Sequence, residues 1–180
     1  GSVAWFGDLS RADIPSVGGK GANLGELTQA GFPVPAGFVV TAQGYIDAMD
    51  EAGIRDDLFR RFTEACAAAD DPAALAAAAE DLEAQVAGAG VPDGLRAEVL
   101  EAYHRLGSDA CVAVRSSARE EDAELAARAG EFDTFLFVHG EERLLEHLKR
   151  AWSGLWTERA IHNRALAGLG SERAGGGVVV

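Results

Sequence analysis

SVGGKGANLGELTQAGFPVP, residues 16–35, is the stretch on which the reading of this chain turns. Lys20 stands among Gly18, Gly19 and Gly21. Glycine loses more conformational freedom on folding than any other residue, so such a run is costly to hold in one shape. Leu24 and Leu27 follow at helical spacing, and Gly31 fits the position just past a helix end. Glycines at the mouth of a helix let an anion approach backbone N–H groups at the positive end of the dipole, and a lysine adds a point charge. The pattern is not a P-loop, because G-x-x-x-x-G-K-[ST] fails where Gly21 follows the lysine. A glycine-rich turn carrying an exposed lysine fits the same residues.

The wider composition narrows the choices. The chain has 180 residues, enough for one domain with a core, and 48% of them are hydrophobic. Its net charge of −13 repels nucleic acid and anionic membrane surfaces, so neither is an expected partner. No apolar run has the length of a membrane span, and no signal-peptide pattern is present. Cys66 and Cys111 lack metal-ligand spacing, which points to a reducing, cytoplasmic setting. The chain opens Gly-Ser without Met, so residues 1–2 read as a tag remnant.

Outward from the opening stretch, VAWFGDL (3–9) fits an edge strand and FPVPAGFVVT (32–41) a turn followed by a buried strand. Thr41 is placed to cap a helix bearing Tyr45, Ile46 and Met49 that Gly53 ends. Leu58 and Phe62 continue as a second helix. Asp71-Pro72 is a start signal, a capping carboxylate before proline at the first helical position. Leu75, Ala79, Leu82 and Val86 then form one stripe, which reads as a connector helix packed on one face. Leu95, Val99, Tyr103 and Leu106 mark another helix, stopped by Gly107. ACVAVRSS (110–117) and DTFLFV (133–138) read as strands. Leu144, Leu148, Trp152 and Trp156 run along an amphipathic helix, with the tryptophans as core. GGGVVV (175–180) looks like the first half of a strand, as though the chain were cut there. Strands separated by clustered helices give an α+β (α/β) domain on a small mixed sheet.

Two further places suit phosphate. Arg115 ends a buried strand and is followed by Ser116 and Ser117. Its guanidinium can grip an oxyanion bidentately, or equally pair with Glu120, Glu121 or Asp122. The segment GEFDT (130–134), with Gly130 and Thr134, can fold over phosphates or make an ordinary turn into a strand. The run 120–122 also suits Mg²⁺, although a charge run is commonly a solvated loop. His104, His139, His147 and His162 lack nucleophile or metal-ligand partners, and Arg159 and Arg164 suit a helix C-terminus.

Three blocks, taken in order, resemble one family. VGGKGANLGELTQAGFPVPAGFVVTAQGY is similar to the amino-terminal signature of the ATP-binding domain of the phosphoenolpyruvate synthase and pyruvate phosphate dikinase family, which rifampin phosphotransferases share. VAVRSSAREEDAELAARAGEFDTFLFVHG resembles its second block and LKRAWSGLWTERAIHNRALAGL its third. The resemblance runs from Trp5 to near Gly170. It implies an ATP-grasp-like fold of two lobes with ATP between them. Lys20 and Arg115 would contact the phosphates, helped by Gly18, Gly19 and Ser116, while a loop with Ala129, Gly130 and Thr134 closes over them.

The family passes a pyrophosphoryl group from ATP to a histidine on a separate domain, leaving AMP. The phosphohistidine then serves pyruvate, an antibiotic or another acceptor. Here the loop reads Ala127-Arg128-Ala129-Gly130-Glu131-Phe132-Asp133-Thr134, without the family's glutamines, and Asn163 replaces a tyrosine. Neither the second lobe with its acidic Mg²⁺ ligands nor the G-G-x-T-S-H histidine motif occurs in the chain. The expectation is therefore one lobe, residues 1–180, of an ATP- and Mg²⁺-dependent phosphotransferase. Its metal ligands lie elsewhere, and the lobe is inactive alone. The alternative is an inactive binding or assembly module whose apolar last strand pairs with a partner.

Overall fold

Phe38, Val39 and Val40 are fully buried. Side chains alternate across a strand, so this strand must be covered on both faces. The computed structural model describes residues 1–118, 134–157, 160–162 and 176–180, and the cover is found there. Strands β1 (Val3–Trp5), β2 (Phe38–Val40), β3 (Cys111–Ala118), β4 (Thr134–His139) and β5 (Gly176–Val179) form one sheet. Its order is β1-β2-β5-β3-β4. The helices are α1 (Ile14–Gln29), α2 (Ala42–Glu51), α3 (Arg55–Ala67), α4 (Pro72–Ala89), α5 (Asp93–Leu106) and α6 (Glu141–Ser153).

The α+β class is as expected, but the sheet is wholly antiparallel and not mixed. β5 enters between β2 and β3 and runs opposite to both, so no parallel neighbour arises. This also corrects the reading of the last strand as a pairing edge. Val39 and Val40 pair with Val179 and Val178 on one side, and residues 115–118 pair with residues 179–176 on the other. Both edges of β5 are taken within the chain.

The sheet separates two cores. Phe38, Val40, Val114, Val138 and Val178 point into a large one filled by α2 to α6. There Trp152 meets Tyr45 edge-on at 5.7 Å between ring centroids, and Trp156 meets Phe62 at 5.4 Å. Trp156 Nε1 donates to Tyr45 Oη at 2.9 Å, giving its buried N–H a partner. Both tryptophans are core residues, as their spacing suggests. The stripe Leu75, Ala79, Leu82 and Val86 is buried while the rest of α4 is largely exposed. Val39 and Val179 point the other way, into a small core with Phe6, Leu9, Val17 and Ala22 that α1 closes.

Local chemistry sets the helix ends. Thr41 Oγ1 accepts from the Gly44 N–H at 3.2 Å, and Asp71 Oδ1 from those of Ala73 and Ala74 at 3.1 and 3.3 Å. α1 ends in a Schellman motif. Gly31, at φ 84°, donates to Thr28 O, and Phe32 donates back to Leu27 O, both at 3.1 Å. Tyr103 Oη donates to Ala110 O and accepts from the Gly140 N–H, joining α5 to the start of β3 and the end of β4, which lie side by side. No helix among the described residues is long and apolar enough to cross a membrane. Neither Cys66 nor Cys111 is in a disulfide.

Candidate functional site

α1 begins earlier than the leucine spacing suggests. Pro15 sits in its first turn, where a missing N–H costs nothing. One turn later Gly18, buried at φ 77° and ψ 171°, breaks the helical path. Only glycine adopts that conformation readily. The kink makes Gly19 the start of a second helical segment, and half-buried Lys20 lies in its first turn. The positive end of that segment's dipole therefore lies at the glycines.

Arg115 reaches the same side of the sheet. In antiparallel pairs, directly opposed residues share a face. Ala4 opposes Val39, Val39 opposes Val179, Val179 opposes Arg115, and Arg115 opposes Thr134. Val39 and Val179 pack with Val17 and Ala22 of α1, so Arg115 and Thr134 also stand on the α1 face. α1 itself lies against β3 and β5. Arg115 Nε is buried and has no hydrogen-bond partner. None of the ion pairs among the described residues involves Arg115 or Lys20. A buried charged donor left unpaired is costly, and such groups commonly mark a site for something that pairs with them.

Ser116 does not share this row. It opposes Val178, whose side chain enters the large core, so it stands on the face away from Arg115. Counting residues along VRSS does not show which face Ser116 takes, whereas strand alternation does. Thr134 is exposed and adjoins Arg115. Beyond it, Leu136 and Phe137 together oppose Ala113 across a bulge, with Phe137 at φ 57°. Ala129 and Gly130 lie outside the described residues, as do Glu120, Glu121, Asp122, Arg159, Asn163 and Arg164.

Sequence reasoning passed over Gly177. A Cβ there would come within 2.5 Å of both the Val17 carbonyl oxygen and Val39 Cγ1. The run GGG at 175–177 is the only signal that could have flagged it. Other features fall outside this row. His104 Nε2 meets Glu141 Oε1 at 2.6 Å, and His147 Nδ1 meets Arg143 O at 2.6 Å. Among the described residues no three His, Cys, Asp or Glu side chains gather to hold a metal. A groove of about 420 Å³ between α3 and α4, lined by Ala65, Ala68, Ala74, Ala78 and the Arg61–Asp81 pair, lies in the helical layer away from α1.

Residues 14–180 match the family model described as "Pyruvate phosphate dikinase, AMP/ATP-binding domain". The chain belongs to that family. The chain also aligns with curated relatives along most of its own length. The chain is 38% identical over 183 residues to a phosphoenolpyruvate synthase of Aeropyrum pernix, covering 99% of this chain and 22% of that protein. It is 34% identical over 202 residues to a phosphoenolpyruvate synthase of Pyrococcus furiosus, covering 93% and 25%. It is 39% identical over 174 residues to a rifampicin phosphotransferase of a Streptomyces species, covering 96% and 20%. The dikinase-type domain described here thus spans about a fifth to a quarter of the length of these relatives.

Proposed function

We propose that this chain is the first lobe of an ATP-grasp-like ATP-binding domain in a longer, cytoplasmic phosphotransferase, and that Lys20 and Arg115 hold the ATP phosphates. The observation that carries the reading is the buried, unpartnered Nε of Arg115 on the face closed by the glycine-kinked start of α1. Arg115 and the helical turn that carries Lys20 belong to the same side of the sheet, and the other side is packed mainly by apolar side chains. A polyphosphate supplies the missing acceptors, and glycine leaves room for it beside the backbone. Thr134 adds a hydroxyl in the same row, and the loop containing Gly130 would close over the phosphates. Ser116 contributes from the far side of β3 only through its backbone.

The chemistry asked of these residues is electrostatic. In phosphoryl transfer, charge redistributes over the phosphate oxygens, and fixed cations that need not reorganise lower the barrier. Lys20 and Arg115 would hold the chain of phosphates in line and offset that charge. The Mg²⁺ ligands, the second lobe and the histidine that receives the pyrophosphoryl group belong to the remainder of the longer protein. So does the choice of acceptor, such as pyruvate or an antibiotic. The test is AMP formation from ATP by the full-length protein. Arg115→Ala and Lys20→Met should each abolish most of it while thermal unfolding stays where it is. Wild-type AMP formation in either variant contradicts the assignment. The isolated lobe should bind ATP weakly and turn nothing over; tight binding by calorimetry contradicts that.

A further inference from the structure

Gly177 lies in β5 opposite position 117, two residues before Val179, which opposes Arg115. A Cβ on Gly177 would sit 2.5 Å from Val17 O and 2.5 Å from Val39 Cγ1. Real carbon atoms do not approach so closely, and the Val17 oxygen is backbone, so no rotamer change relieves the contact. Val17 immediately precedes the Gly18 kink. Its carbonyl therefore rests on the bare backbone of β5, and the turn carrying Gly19 and Lys20 starts from that seat. The next glycine of the turn, Gly21, faces the same wall less tightly, with 3.1 Å from a built Cβ to Val39 Cγ2.

We infer that Gly177 is a positioning residue of the polyphosphate site: its missing side chain fixes the height of the Lys20 turn above Arg115, so that both cations reach one polyphosphate. The inference rests on the reading of Lys20 and Arg115 as phosphate ligands. One methyl group at 177 would have to lift the start of α1 by roughly 1 Å to restore ordinary contact, and a displacement of that size at a preorganised site costs up to about a hundredfold. β5 therefore acts as a gauge between two ligands, on top of its role in the sheet.

The test uses the full-length protein and a non-hydrolysable ATP analogue. Gly177→Ala is compared with Val86→Ala, which trims the large core on the opposite face of the sheet. Both should lower the melting temperature. Only Gly177→Ala should raise the Kd for the analogue, by at least about tenfold, with Val86→Ala within about twofold of wild type. If Gly177→Ala does not fold, the double variant Gly177→Ala/Val39→Ala removes one obstacle and keeps the Val17 carbonyl; it should fold and bind the analogue at least about tenfold more weakly than Val39→Ala alone. Wild-type affinity in a folded Gly177→Ala, or affinity in the double variant equal to that of Val39→Ala alone, overturns the inference. Failure of both to fold also overturns it, because the position would then serve the whole fold and not the site. Wild-type protein that does not bind the analogue at all refutes the phosphate reading itself, a separate result.

Discussion

The two faces of the sheet are built from different materials. One meets α2 to α6 through Phe38, Val40, Val114, Val138 and Val178; those helices contribute Trp152, Phe62 and Leu82, and the 3-10 turn Gly154–Trp156 just past α6 contributes Trp156. The other meets the single helix α1 through Val39 and Val179, and carries Arg115, Thr134 and the glycine-kinked turn of Lys20. The first face is where apolar area is removed from water, and its residues should govern stability. The second holds the unpartnered, charged Arg115 Nε and backbone bent at Gly18, features that add nothing to stability on their own. The large core keeps one unpartnered buried donor too, the neutral Trp152 Nε1, so the two faces differ in charge and in backbone strain.

The comparison can be broken at either face. Trp152→Ala should have the largest effect on stability, about 3–5 kcal/mol by denaturant unfolding, because it empties a fully buried site. Its affinity for ATP should be unchanged under conditions where it remains folded. Arg115→Ala should do the opposite: loss of about a hundredfold or more in ATP-dependent turnover, equivalent to about 2.7 kcal/mol, with little change in unfolding. An Arg115 variant that unfolds as readily as Trp152→Ala would erase the distinction.

Smaller effects sharpen it. Asp71→Ala removes the cap of α4 and should cost about 1 kcal/mol, read by thermal melting, with no effect on ATP. On the exposed side of α3, hydrogen bonds from Gln85 and Arg60 hold the Asp57 carboxyl below the ordinary carboxylate range. Its contribution to stability is thus present above the unfolded carboxylate value, near 3.9, and is lost as pH falls through the lower folded value. Asp57→Asn should flatten the acid limb of the melting-temperature profile slightly. An unchanged acid limb would show that these surface bonds add nothing measurable, as is common for exposed pairs.

What was readable in advance follows from range. The Asp71-Pro72 start, the Thr41 cap and the Gly31 stop depend on chemistry within a few residues, and each stands where its local pattern puts it. The helical stripe of α4 follows from period alone; that of α6 does so only as far as Trp152, because the helix ends at Ser153 and Trp156 stands in the 3-10 turn Gly154–Trp156. The sheet order did not follow, because pairing β5 between β2 and β3 joins residues far apart in sequence. The same non-local register separates Ser116 from Arg115 and brings Thr134 beside it. Gly177 was invisible for a related reason: a glycine's purpose lies in what approaches it, and Val17 is 160 positions away. The leucine spacing puts the start of α1 at the glycines because the kink at Gly18 restarts the helix there, hiding the turn that Pro15 begins.

The central claim is that the α1 face exists to bind phosphate. Titration of a non-hydrolysable ATP analogue into the full-length protein and its Arg115→Ala variant, followed by calorimetry, tests it most directly. The account predicts binding that weakens by at least about a hundredfold in the variant while the melting temperature stays within a few degrees of wild type. Equal affinity in the two proteins would contradict it.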